Sequence, residues 1–187
     1  MKKNISKFIL KSFGWKTYAT IPDIKKLVVC VAPHTSNWDF IIGKLFYVSM
    51  GRKASFLIKQ EWLKPPIGKL FIKIGAIGVN RGKKTSLTDQ LAKVFEEKEE
   101  FHLAVTPEGT RKKVDKWKLG FYQIAKKAGV PIMMVTIDYK LKEVSVLGFY
   151  EPTDDMEKDL NTIKSFYENT HAKYPTQFSL GKDYKKP

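Results

Sequence analysis

Leu27-Val28-Val29-Cys30-Val31-Ala32 is an unbroken apolar run, and a second apolar stretch begins only at Phe40. The first run reads as a buried strand. The polar block between the two, His34-Thr35-Ser36-Asn37-Trp38-Asp39, then occupies the passage from strand to helix. In open α/β sheets, sites form at the carboxyl ends of strands. Within a single helix, five steps of about 100° would leave the His34 and Asp39 side chains about 140° apart. They meet only if His34 lies in the turn and Asp39 in the first helical turn, with Ser36 or Asn37 as the N-cap. A histidine and a carboxylate so placed are suited to act as a base and its orienter.

The rest of the chain repeats this alternation. Helical character is expected from Trp38 to Met50, stopped by Gly51, and Ala54–Ile58 reads as a second strand. Pro65-Pro66 breaks regularity before a short helix over Ile67–Ile74. A third strand, Ala76–Val79, ends at Asn80-Arg81-Gly82. Thr85–Glu100 has helical spacing at Leu87, Leu91, Val94 and Phe95. Phe101–Thr106 is a fourth strand, ending in Pro107-Glu108-Gly109-Thr110-Arg111. A helix over Trp117–Lys127 closes at Gly129. Strands over Pro131–Asp138 and Val144–Phe149 and a final helix over residues 156–174 complete the pattern. Such alternation predicts an α/β fold with a mixed, largely parallel central sheet flanked by helices. No internal repeat, long linker or low-complexity segment divides residues 1–187, so one domain is expected. If the strands run parallel, the polar clusters at His34–Asp39, Asn80-Arg81 and Glu108–Arg111 converge on one edge of the sheet.

Charge narrows the partners. Lys+Arg 34 against Asp+Glu 19 leaves a net charge of +15, with an isoelectric point near 9.7. That balance favours polyanions: nucleic acid, an anionic membrane surface or phosphorylated substrates. The single Cys30 lies inside a predicted strand, which excludes a disulfide framework or a cysteine metal site and fits a reducing, cytoplasmic setting. No stretch approaches the roughly 18 apolar residues of a membrane span, and the N-terminus does not read as a signal peptide. Work on lipid would proceed from the membrane surface. Residues 2–20 carry Ile5, Phe8, Ile9 and Phe13 at helical spacing among five lysines. That segment reads either as a helix packed on the core or as an interfacial helix touching anionic headgroups.

The block His34-Thr35-Ser36-Asn37-Trp38-Asp39 is similar to the H-x-S-x-x-D block (a His, four residues, an Asp) of glycerolipid acyltransferases. More narrowly, the chain resembles the 1-acylglycerol-3-phosphate, or lysophosphatidic acid, acyltransferase family. Pro107-Glu108-Gly109-Thr110-Arg111 matches that family's P-E-G-T-R block, and Val130-Pro131-Ile132-Met133 looks like its V-P-I-x block. Gly75 to Arg81 resembles G-x-x-F-x-x-R, with Gly and Arg in register and Gly78 where the Phe is expected. Asn80 replaces a frequent acidic residue, Pro33 a frequent Asn, and Met134 a frequent Pro. The resemblance implies transfer of a fatty acyl group from acyl-CoA or acyl carrier protein to the hydroxyl of a lysophospholipid. The first expectation is 1-acylglycerol-3-phosphate giving phosphatidic acid, and another lysolipid or an amino-acid-derived lipid is the alternative. No cofactor is implied beyond the thioester co-substrate. The implied site comprises His34 and Asp39 as catalytic residues, with Ser36, Arg81, Glu108, Gly109, Thr110 and Arg111 binding substrate.

The chemistry agrees with these residue types. A histidine is suited to take the proton from an attacking hydroxyl near neutral pH. Asp39 would fix the imidazole tautomer and stabilise the imidazolium. The substrate hydroxyl stands where a triad has its serine, so Ser36 is better placed as a cap than as a nucleophile. Arg81 and Arg111 offer planar donor forks to phosphate, and Gly109 lets backbone amides approach an anion. Glu108 either holds an arginine in place or accepts from the acceptor hydroxyl. Gly82-Lys83-Lys84-Thr85 fails as a P-loop because Ile77 stands where the earlier Gly is required. A metal site is not expected, since His102 and His171 lack ligand spacing to His34. A basic nucleic-acid-binding module remains the non-enzyme alternative, although the lysines are spread along the chain with no recognised motif.

Overall fold

The computed structural model describes residues 2–19, 22–79 and 86–186. Among them, strands β1 (Lys16–Tyr18), β2 (Lys26–Val31), β3 (Ser55–Lys59), β4 (Ala76–Val79), β5 (Phe101–Val105), β6 (Ile132–Asp138) and β7 (Glu143–Tyr150) form one sheet in the order β1-β7-β6-β2-β5-β3-β4. Every pairing is parallel except β6 with β7. The expected mixed, largely parallel sheet is therefore what the chain forms.

β2 and its neighbours β5 and β6 are central, which is why Leu27-Val28-Val29-Cys30 is wholly buried. Successive side chains of β2 feed opposite layers. Leu27 and Val29 join Met133 and Val135 under α1 (Lys2–Ser12) and α2 (Asn37–Ser49), where Leu10, Ile42 and Phe46 pack. Val28 and Cys30 join Ile132 and Met134 beneath α4 (Leu87–Glu97), α5 (Gly120–Ala128) and α6 (Met156–Ser165). The remaining helix, α3 (Ile67–Lys73), follows a short 3-10 turn over Gln60–Leu63 beside the β3–β4 end of the sheet.

Three local expectations are corrected. Residues after Gly14 form β1, which pairs in parallel with β7 through Lys16↔Glu143 to Tyr18↔Ser145. Three residues are too few to show a period, and partnership with a distant strand supplies the signal. The last helix ends at Ser165 rather than near residue 174. Tyr167 is fully buried there and its hydroxyl donates to the Cys30 carbonyl at 2.8 Å, so a tertiary bond overrides helical spacing. His171 accordingly lies outside any helix, with Nδ1 2.8 Å from Asp138 Oδ2. Trp117 precedes α5 rather than opening it: the indole is buried and donates to the Ser179 carbonyl at 2.9 Å.

β3 meets β5 only at Ser55↔Leu103 and Phe56↔Ala104, then continues alone with β4 as far as Lys59↔Val79. β5 meanwhile stays with β2 up to Cys30↔Val105. The sheet thus parts beyond Phe56 of β3 and Ala104 near the carboxyl end of β5, and a cavity fills the parting.

Candidate active site

Ser36 begins α2 as its N-cap: its backbone is extended and its hydroxyl accepts from the Trp38 amide at 3.2 Å. Asp39 is the third helical residue and completes a capping box by reaching back to the Ser36 amide. Its Oδ2 accepts from the Thr35 and Ser36 amides, each at 2.8 Å. The same oxygen lies 3.3 Å from His34 Nδ1. Asp39 therefore folds the turn back on itself and brings the imidazole against its carboxylate. The sequence requirement, histidine in the turn and aspartate in the first helical turn, is met.

Asp39 is 2 % exposed. Burial works to raise its carboxyl, but the His34 contact, the Tyr139 hydroxyl and the Ser36 amide together hold it below the ordinary carboxylate range. It is an anion at neutral pH, and an anion beside Nδ1 favours the tautomer that leaves Nε2 free to accept a proton. His34 Nδ1 is buried and meets no acceptor in full hydrogen-bond geometry, so the pair is in contact but not closed. Such bonds tighten when substrate binds.

Glu108 has turned inward. It is wholly buried, and Oε1 accepts from the His34 backbone amide at 2.8 Å while Oε2 has no partner. Burial pushes its carboxyl up to about 8; the His34 amide pulls the other way, and the Asp39 charge adds to the rise. Its neutral acid form is therefore favoured near neutral pH. Among the described residues, Arg111 pairs not with Glu108 but with Asn37, whose Oδ1 accepts from Nη1 at 2.6 Å. That bond joins the turn after β5 to the first turn of α2. Gly109 takes φ +63°, and a side-chain carbon there would come within 2.7 Å of the Lys118 side chain. Thr110 Oγ1 accepts from the Lys112 amide at 3.4 Å within its own turn.

His34, Asp39, Gly109 and Arg111 line one cavity of about 700 Å³. Its walls are mostly apolar: Phe40, Ile41 and Phe46 from α2, Phe56 and Leu57 from β3, and Phe121 and Ile124 from α5. That volume lies within the usual range for a small-molecule site. Of the sequence-predicted site residues, His34, Ser36, Asp39, Glu108, Gly109, Thr110 and Arg111 belong to the two turns brought together here. Arg81 lies outside the described residues, as does the Gly82–Thr85 segment.

Two contributors escaped the sequence reading. Tyr139 follows β6 directly and its hydroxyl donates to Asp39 Oδ1 at 2.6 Å. Its place at the carboxyl end of a parallel strand was the available signal. Lys118 lines the cavity from beyond the Pro107–Arg111 turn, anchored by its amide to the Pro107 carbonyl at 2.7 Å. Gly78, where the related block has Phe, faces Gln60 and Leu63 so closely that an added carbon would lie 2.1 Å from Gln60 Oε1. Those two side chains occupy the space that a larger residue would need.

The fold is shared with a solved structure, the 1-acyl-sn-glycerophosphate (LPA) acyltransferase PlsC from Thermotoga maritima. The TM-score is 0.58 at 22% identity, covering 90% of this chain and 75% of that chain. No curated protein matches the chain in sequence. Residues 14–138, a span that includes both the His34–Asp39 turn and the Pro107–Arg111 turn, match the model of the acyltransferase family. With the match covering most of the sequence and both turns lining one cavity, the chain belongs to the acyltransferase family.

Proposed function

We propose that the protein transfers a fatty acyl group from acyl-CoA or acyl carrier protein to the hydroxyl of a lysophospholipid, with 1-acylglycerol-3-phosphate the favoured acceptor and phosphatidic acid the product. The observation that carries this reading is the His34–Asp39 pair lining a mostly apolar cavity that Arg111 also lines. An apolar cavity suits an acyl chain, and a guanidinium suits a phosphate.

In this mechanism His34 Nε2 takes the proton as the acceptor oxygen attacks the thioester carbonyl. Asp39 stabilises the imidazolium through Nδ1. The tetrahedral intermediate collapses, the carbon–sulfur bond breaks, and the imidazolium returns the proton to the departing thiolate. No protein nucleophile is required. Ser36 caps α2 with its hydroxyl, which supports a structural rather than a covalent role.

The lipid substrates and the net charge of +15 favour work at an anionic membrane surface, reached peripherally from the cytoplasm. No helix among the described residues is long and apolar enough to cross a membrane. α1 supports the interfacial reading of the N-terminal segment: it packs through Ser6 and Leu10, leaving Ile5 and Phe8 half or more exposed. One sheet built from strands along the whole chain supports treating residues 1–187 as a single acyltransferase domain.

The test is an acyl-transfer assay against a panel of lysolipids, with both CoA and carrier-protein thioesters. The wild type is expected to acylate 1-acylglycerol-3-phosphate best, and His34→Ala to lose about 10²–10⁴-fold in rate. Equal activity in the His34→Ala protein would overturn the mechanism. Preference for another lysolipid would replace the acceptor with the alternative class.

A further inference from the structure

We propose that the segment from Trp62 to Ile72 is a lipid-docking surface of its own, seating the acyl cavity's β3 wall on an anionic bilayer. The inference rests on the lipid-acyltransferase reading and deepens it.

Four large apolar side chains project outward in this short stretch: Trp62 is 59% exposed, Ile67 59%, Leu70 60% and Ile72 56%. Ile67 and Leu70 stand three apart on α3 and share a face. The inner side of the element is fixed elsewhere. Gly68 is buried so tightly against Leu63 that a side-chain carbon would meet its carbonyl at 1.9 Å. α3 is therefore held with one side against the Gln60–Leu63 turn, and its aliphatic face cannot turn inward. Isolated exposed apolar residues are ordinary, but a cluster on one short element marks a contact surface.

Charge selects the occupant. Between residues 59 and 74 the sequence carries Lys59, Lys64, Lys69 and Lys73 against the single carboxylate of Glu61. All four lysines are exposed, and none forms an ion pair with a described residue. Apolar side chains flanked by unpaired lysines match the headgroup and acyl boundary of an anionic bilayer. A protein partner would be matched better by paired or mixed charges.

Continuity with the cavity gives the surface its purpose. Ile58, at the end of β3, lines the cavity, and Trp62 is four residues on. On the other side of α3, Lys44 of α2 donates to the Ile74 carbonyl at 2.6 Å and to the Ala54 carbonyl at 2.9 Å. Lys44 and its neighbours Phe40 and Ile41 also line the cavity, and both apolar residues are partly exposed. The docking segment thus follows directly on the β3 wall of the cavity and is bonded through the adjoining Ile74 to the α2 wall, whereas α1 packs chiefly on α2.

The test uses the full chain and vesicles of phosphatidylglycerol and phosphatidylcholine, with pure phosphatidylcholine as the control. Trp62→Ser/Leu70→Ser is expected to weaken binding to the mixed vesicles by about tenfold or more. Its turnover of a short-chain, monomeric lysolipid should stay at the wild-type level, which also verifies folding. Lys64→Gln/Lys69→Gln should reduce the preference for anionic vesicles and flatten the salt dependence. In the wild type, Trp62 emission should be quenched by brominated acyl chains, with Trp62→Phe as the reference. Wild-type vesicle binding by the double serine variant would overturn the proposal. So would a dimer in solution that the same variant dissociates without any change in vesicle binding. If no lysolipid is acylated by the wild type while the variant still loses vesicle binding, the surface stands and the acceptor assignment falls.

Discussion

Tyr139 donates its hydroxyl to Asp39 Oδ1 at 2.6 Å across 100 positions of sequence. The carboxylate is thereby shared between two tasks. Oδ2 gathers the Thr35 and Ser36 amides and faces His34, while Oδ1 is held by a side chain from the end of β6. Tyr139 is itself braced: its ring lies edge-on to Trp15 at 5.2 Å between centroids, and its amide donates to the His171 carbonyl at 2.9 Å. We regard it as a positioning residue, acting on the base through the aspartate.

Tyr139→Phe should therefore lower kcat by about tenfold with little change in KM, because a hydrogen bond to a charged group contributes roughly 1.5–3 kcal/mol. The pH dependence separates this role from simple packing. Asp39 is held below 3.8 in the folded protein, so its contribution to stability is present above about 3.8 and lost as pH falls through the lowered value. Without the hydroxyl that value moves back towards 3.8, and the variant loses part of the contribution at neutral pH. Acid unfolding of the two proteins, followed by circular dichroism, should show acid unfolding of the variant beginning at higher pH. Coincident acid curves with a reduced kcat would mean that the hydroxyl does not act by holding the Asp39 carboxylate.

Glu108 gives a pH dependence of the opposite sign. Its carboxyl rises from 4.5 to about 8 on folding, so its contribution is fully present below about 4.5 and is lost as pH rises through about 8. The full difference is of order 5 kcal/mol. Glu108→Gln keeps an oxygen for the His34 amide and cannot ionise. Denaturant titrations at pH 5 and pH 9 should show the wild type losing stability across the interval and the variant much less. Parallel losses in both proteins would mean that the buried carboxyl is not the source.

How much of this was legible in the residues depends on the range of the interactions. The Leu27–Ala32 strand, the Ser36 cap and the His34–Asp39 turn are local: their hydrophobic run, hydroxyl and spacing carry the information within thirteen residues. β1 is not local, since it exists through pairing with β7, and neither is the early end of α6, which Tyr167 sets by bonding to Cys30. Glu108 shows the same limit at the site. Its membership in the Pro107–Arg111 turn was readable, but its inward rotation onto the His34 amide depends on β5 lying beside β2. Arg111 finding Asn37 instead of a carboxylate has the same origin.

The parting of β3 from β5 makes a prediction about chain length. Ala104 is the last residue of β5 paired with β3, and it lines the cavity where the strands separate. Ala104→Leu adds three carbons to that wall. If the acyl chain lies there, the variant should shift its kcat/KM preference towards shorter thioesters. Each methylene excluded should cost about 0.8 kcal/mol, or roughly fourfold. Competition between a short-chain and a long-chain acyl donor in one tube reads the ratio directly. An unchanged ratio would place the chain elsewhere.

Arg111 separates phosphate recognition from catalysis. Its guanidinium is oriented by Asn37 in the cavity lining and meets no carboxylate among the described residues, so its remaining donors are available to an anion. Arg111→Ala should raise KM for 1-acylglycerol-3-phosphate by about tenfold or more, in keeping with the strength of a charge-assisted pair. Its effect on an uncharged monoacylglycerol acceptor should be small. Arg111→Lys keeps the charge but loses the planar fork that Asn37 holds, so it should recover only part of the difference. Steady-state kinetics on the two acceptors, measured for all three proteins, give the comparison. A loss that is equal for both acceptors would assign Arg111 to the architecture of the turn rather than to the phosphate.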